Sequence, residues 1–265
     1  MVQVGPVTDA GFPAGVEAIA DLAPVDDEAG WGWLVLDAGG VISRWDLAAG
    51  TCRALAAASV PGEPGHQAWR GQDLRRRLHV SASGLFAAVV NDYGRFGEVI
   101  DLRAGRVTMA LDNGGGDAET VPFSLAFARH HGRNVVIHRT AWNRLDVSDA
   151  ATGRLLTARE PASCRSGEPR PDHYLDYFHG ALHLSPDGAR IFDDGWFWQP
   201  AGYPAAWELA AWLDGNAWES EDGPTRIEFC WLEYWDRAFT WIGSHPAARE
   251  LLEVNRGKLR HAQHT

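Results

Sequence analysis

A seven-residue pattern occurs twice in this chain and restricts its folding more than any other feature. Leu78-His79-Val80-Ser81-Ala82-Ser83-Gly84 runs into the apolar stretch Leu85–Val90. Leu182-His183-Leu184-Ser185-Pro186-Asp187-Gly188 runs into Ala189-Arg190-Ile191-Phe192. Each copy reads as a strand, a tight turn closed by a glycine that takes a positive φ, and a second strand. A weaker third copy joins Leu125-Ala126-Phe127-Ala128 to Asn134-Val135-Val136-Ile137 through Arg129-His130-His131-Gly132. Repetition on this scale means stacked supersecondary units that share cores with their neighbours.

A second element recurs between these copies. Trp45-Asp46-Leu47-Ala48-Ala49-Gly50 leads into Thr51–Leu55, and Ile100-Asp101-Leu102-Arg103-Ala104-Gly105 leads into Arg106–Ala110. Leu145-Asp146-Val147 leads through Thr152-Gly153 into Arg154-Leu155-Leu156. Asp46, Asp101 and Asp146 are spaced by 55 and 45 residues, against about 40–45 for a four-stranded propeller blade. The turn aspartate accepts nearby backbone N–H groups, and the glycine supplies the left-handed residue that closes the hairpin. A lone four-stranded sheet cannot bury both faces, whereas sheets stacked radially bury them against one another.

These motifs resemble the WD-repeat β-propeller family, the Trp45-Asp46 dipeptide and the two Ser-turn-Gly motifs carrying the likeness. It covers roughly residues 16–160 and 180–193. Ile100-Asp101 and Leu145-Asp146 are degenerate versions. No Gly-His pair precedes Trp45-Asp46 in register, which marks a divergent member. Trp218-Glu219-Ser220-Glu221-Asp222-Gly223-Pro224 is similar to a run that follows a blade in bacterial WD-like proteins of uncharacterised function. The resemblance implies an all-β propeller of about five blades over residues 1–243 and no specific activity. The fifth blade closes the ring only if the segment 207–241 supplies strands. An open ring would leave strand edges for pairing with another chain. Residues 244–265 read as a short helical tail, with Ser244 as N-cap, Pro246 in the first turn and Gly257 near the end.

The net charge of −11 argues against a nucleic-acid partner, which calls for a basic patch. No run of about 18 apolar residues is present to span a membrane. The first 24 residues lack the basic start and apolar core of a signal peptide, so the expected location is cytoplasmic. Cys52, Cys164 and Cys230 form no C-x-x-C pair and read as buried thiols, not as a zinc site or a disulfide framework.

Catalytic signatures are missing. No serine sits in a G-x-S-x-G elbow, and Gly114-Gly115-Gly116 lacks the Lys-Ser/Thr of a phosphate loop. His130 and His131 read as a solvated turn. No cofactor or metal is expected. The candidate binding residues form three groups. Asp92, Asp193 and Asp194 follow second strands, where they can line a shared rim or hold turns. His173, Tyr174, Asp176, Tyr177 and His179 occupy a long Pro-containing loop, a common place for function. Trp196, Trp198 and Trp218, with Glu219, Glu221 and Asp222, combine aromatic surface and acid, suited to a cationic peptide or a sugar. Trp218, beside the charge run, is the tryptophan expected to be exposed. The reading that follows is a non-catalytic scaffold presenting a rim to a protein or peptide. The rivals are a hydrolase or lyase with an acidic and histidine central pocket, and a tryptophan-based sugar-binding module.

Overall fold

The computed structural model describes residues 16, 18–28, 30–63, 71, 74–115, 117–160, 164, 167, 169–198, 201–229, 235 and 241. Antiparallel sheets account for nearly all of its regular structure. The first is β1 (Ile19–Asp27), β2 (Gly30–Asp37), β3 (Val41–Asp46) and β4 (Thr51–Ala57), paired in that order. The second is β5 (Arg75–Val80), β6 (Phe86–Asp92), β7 (Phe96–Asp101) and β8 (Arg106–Asp112). The third is β9 (Leu125–His130), β10 (Arg133–Ala141) and β11 (Arg144–Asp149), with a single bridge from Ser148 to Leu155 where a fourth strand would run. In the fourth, β12 (Phe178–Leu184), β13 (Arg190–Phe197), β15 (Ala205–Glu208) and β16 (Ile227–Glu228) pair in order, and β14 (Ala201–Gly202) adds to β13. Two short helices, α1 (Leu209–Asp214) and α2 (Glu219–Asp222), stand between β15 and β16. No helix among the described residues is long and apolar enough to cross a membrane.

This is a β-propeller, and among the described residues two of its sheets have four strands, one has three and one has five. Alternation along each strand sends side chains to both sheet faces, and shared cores follow. Leu34, Leu36 and Ile42 of the first sheet meet Leu78, Ala87 and Ile100 of the second. Ala88, Val90 and Val99 meet Leu125, Phe127 and Val136 of the third. Ile137, Leu145 and Val147 meet Leu182, Ile191 and Trp207 of the fourth, with Leu209 and Trp212 of α1. Among the described residues no core cluster joins the fourth sheet to the first. The segment after Trp207 does supply a strand, β16, but to the fourth sheet. The helical tail expected at 244–265 lies outside the described residues, as does Cys230. Cys164 is exposed and Cys52 is half-buried, so neither has the burial expected from sequence.

Local hydrogen bonds explain why the repeated motifs recur. Ser81 Oγ accepts the N–H of Phe86, and Gly84 N–H reaches the Ser81 carbonyl. Ser185 and Gly188 repeat both bonds with Arg190 N–H and the Ser185 carbonyl. In the outer hairpins, Asp46 Oδ1 accepts the N–H groups of Ala48 and Ala49, and Asp101 Oδ1 those of Arg103 and Ala104.

The third copy differs in register from the sequence reading. Asp149, not Asp146, accepts the N–H groups of Ala151 and Thr152, and Gly153 closes the turn at φ 69°. Asp146 is buried among Arg144, Thr140 and Arg159. Asp149→Ala is expected to cost about 1 kcal/mol, the scale of a net hydrogen bond, and Asp46→Ala a similar amount. Urea denaturation checks both. An unchanged midpoint for Asp149→Ala would show that the turn does not depend on its carboxylate.

Candidate functional site

The first strands of the second, third and fourth sheets line a cavity of about 480 Å³. Its walls are residues 78–80 of β5, 125–127 of β9 and 182–184 of β12, together with Trp241. Among the described lining residues, His79 and His183 are the titratable ones. Both come from the duplicated Leu-His-x-Ser motif. Burial lowers the His79 pKa to about 4, helped by the positive charge of Arg77 and opposed by Asp21. Burial also lowers the His183 pKa, with Asp193 opposing. The cavity therefore offers neutral imidazoles at neutral pH.

The carboxylates that sequence reading placed on a rim lie inside the sheets. Asp92 ends β6 and is buried. Its Oδ1 accepts the N–H of Phe123 at 2.9 Å, and its Oδ2 lies 3.5 Å from Arg77 Nη1. Asp193 is fully buried in β13, where its Oδ1 accepts Gly180 N–H at 2.9 Å and its Oδ2 meets His179 Nδ1 at 2.6 Å. Asp194 is buried in the same strand. The first two are engaged in joining chain segments across the fold.

The loop residues also separate. His173 stacks on Trp218 with ring centroids 4.5 Å apart, and its Nδ1 lies 2.8 Å from Asp222 Oδ1. Asp176 pairs with Arg170 at 3.2 Å. Tyr177 is buried. Its hydroxyl accepts Gly195 N–H at 3.1 Å, and the Arg226 guanidinium lies 5.3 Å from its ring. Burial and the nearby Asp193 push the Tyr177 pKa well above the usual phenol range. His179 is buried against Asp193. His173, Asp176 and His179 thus turn to three different partners and do not converge on one ion.

The acidic run after Trp218 is an internal plug. Glu219, Ser220 and Glu221 of α2 are buried. Glu219 Oε1 accepts the Thr225 N–H at 2.7 Å and its hydroxyl at 2.6 Å, and Asn216 Nδ2 donates to Glu219 Oε2 at 3.1 Å. Glu221 pairs with Arg159, whose guanidinium lies 5.3 Å from the Trp218 ring. Trp218 is half-buried as a result, which corrects the expectation that it is the exposed tryptophan. Asp222 is the exposed acid of the run.

Aromatic surface emerges instead at Trp198. In a meander of this kind, second-to-third strand turns and the connections between blades share one rim. Trp142 in the β10–β11 turn, Tyr174 before β12 and Trp198 after β13 meet there. Trp196 is buried, stacked between Phe178 at 4.1 Å and Trp235 at 4.7 Å. Trp142 lies 4.6 Å from Phe178, and Tyr174 stands edge-on to Trp142. Trp198 lies 5.9 Å from Trp196 and is 70% exposed. The firm row beneath gives this large apolar side chain a fixed base. On the opposite rim, Trp31 is also largely exposed beside Trp33 and borders a cavity of about 530 Å³ with Arg44, Trp45 and Arg53. Sequence reading passed over Trp31. Its flanking glycines, Gly30 and Gly32, were the available signal for an unshielded ring.

No protein-family model matches this chain, and no curated protein matches it significantly. Among solved structures, it is similar to Kuenenia stuttgartiensis hydrazine synthase, with 12% identity and a TM-score of 0.45 over 78% of this chain and 50% of that one. It is also similar to U3-55K, with 15% identity and a TM-score of 0.42 over 82% of this chain and 53% of that one. A third is the computationally designed Ika4 protein, with 16% identity and a TM-score of 0.38 over 74% of this chain and 94% of that one. The chain spans about half the length of the first two.

Proposed function

We propose that this chain is a WD-repeat-like β-propeller scaffold of bacterial, cytoplasmic type that binds a protein or peptide on its aromatic rim without performing catalysis. The observation that carries the reading is Trp198, held 70% exposed on the stacked pair Phe178–Trp196. A large ring on a rigid base loses little conformational entropy on binding, and tryptophan is enriched among residues that dominate interface energies. The buried positions of Asp92 and Asp193 favour this reading over an acidic catalytic pocket, because both carboxylates already hold backbone N–H groups.

Selection of displayed random peptides on the immobilised protein tests the reading. Trp198→Ala is expected to weaken a selected peptide at least about 30-fold, equivalent to roughly 2 kcal/mol, with an unchanged melting temperature. Selected peptides that ignore Trp198→Ala would overturn the assigned rim. Oligosaccharide binding that depends on Trp198, with no peptide selected, would favour the sugar-binding module.

A further inference from the structure

The hairpin between β9 and β10 carries a cluster outside the proposed rim. His130 Nε2 lies 2.7 Å and His131 Nε2 3.0 Å from the same oxygen, Oδ1 of Asp214. Successive residues of a strand point to opposite faces, so adjacent histidines ordinarily diverge. Here His131 takes φ 46° and Gly132 φ 76°, the paired left-handed residues of a tight hairpin turn. That turn swings the second ring back, and the two ring centroids lie 4.1 Å apart. The third group comes from another blade, since Asp214 is the last residue of α1. A carboxylate there faces the negative end of the helix, a position that favours a nearby cation.

We propose that His130, His131 and Asp214 form a site for a divalent transition ion of the zinc class. All three ligand atoms lie within 4.8 Å of one another. In tetrahedral geometry, bonds of about 2.0–2.2 Å to one ion hold neighbouring ligand atoms about 3.3–3.6 Å apart, so the observed 2.7 and 3.0 Å require side-chain rotations that open both contacts. Two imidazoles and one carboxylate suit zinc, cobalt or nickel better than calcium or magnesium. Three protein ligands leave room for water or a further donor, and His131 is 74% exposed, so the ion is reachable from solvent. The bound ion ties the β9–β10 hairpin to α1, and Leu209 and Trp212 of α1 pack in the core shared by the third and fourth blades. Binding at this site therefore raises resistance to unfolding.

Zinc chloride titrated into the untagged, chelator-treated full chain tests the site, read by calorimetry and by thermal melting. His131→Asn is the decisive variant, because asparagine accepts the left-handed turn and removes the imidazole. Asp214→Asn is the second. Wild type is expected to take up one zinc ion with micromolar affinity and to melt at a higher temperature with zinc than without. Each variant is expected to lose at least tenfold in affinity and to lose the zinc-dependent shift while melting as wild type does in chelator. Equal zinc binding by wild type and His131→Asn, or no uptake by wild type at millimolar zinc, would overturn the proposal.

Discussion

Arg159→Ala is expected to lower the unfolding free energy by about 3–5 kcal/mol, the range for breaking a buried ion pair by removing one partner. The Arg159 side chain is 2% exposed and is the common partner of two buried acids. Its Nη1 donates to Asp146 Oδ1 at 2.7 Å, and its Nη2 to the Leu145 carbonyl at 2.8 Å and to Glu221. Asp146 keeps Arg144 and Thr140 when Arg159 is removed. Glu221 keeps the hydroxyl of its neighbour Ser220, which leaves a buried carboxylate without a countercharge in that contact. The cost therefore falls mainly on α2 and on its junction with the third blade. Urea unfolding at neutral pH measures it. The Arg159→Ala, Glu221→Gln double variant should recover a large part of the loss, because the stranded charge is gone. A loss below about 1 kcal/mol would mean that the pair is solvated in the folded protein.

Arg159 also marks where the sequence stops being legible. The turns of Ser81–Gly84 and Ser185–Gly188 are readable because each serine and glycine bonds within a few residues of itself. The blade architecture follows from those turns and from strand alternation. Asp146 and Asp149 are only three residues apart, both in β11, and local pattern alone does not separate them. What separates them is Arg159 and Thr140, which capture Asp146. The run Trp218–Pro224 reads as exposed because it is acidic. Its burial depends on Arg159, Asn216 and Thr225, which supply the countercharge and donors that buried carboxylates need. Trp196 and Trp198 are two apart in sequence and share one side of the fourth blade, yet one is covered and the other is not. The difference lies in Phe178 and Trp235, which sandwich Trp196 from distant parts of the chain. The His130–His131–Asp214 cluster is equally non-local, joining a hairpin to a helix 83 residues further on.

Acidification from pH 7 to pH 4 is expected to destabilise the fold well before its carboxylates protonate. His138 is buried in β10, with Nε2 3.2 Å from Ser148 Oγ, and burial lowers its pKa to about 4 against the attraction of Asp146. An unfolded histidine titrates near 6.5. The folded value is the lower one, so the unfolded chain binds the proton first as pH falls. The contribution of His138 to stability is complete above about pH 6.5 and is lost between there and pH 4. Its size is roughly 3 kcal/mol on the scale of about 1.4 kcal/mol per pKa unit. His79, lowered to about 4 in the cavity wall but only half-buried, adds a smaller loss in the same window. Asp146 acts in a different window. Burial raises its pKa, but hydrogen bonds from Arg144 and Thr140 and the charge of Arg159 outweigh that and lower it. Its contribution is present above the unfolded carboxyl value near 4 and disappears as pH falls through the lowered folded value. Melting temperatures across pH 3–8 should therefore fall in two stages. His138→Gln can still hydrogen-bond Ser148 but cannot titrate, so it should flatten the first stage and leave the second. A first stage unchanged in His138→Gln would assign the acid sensitivity to other groups.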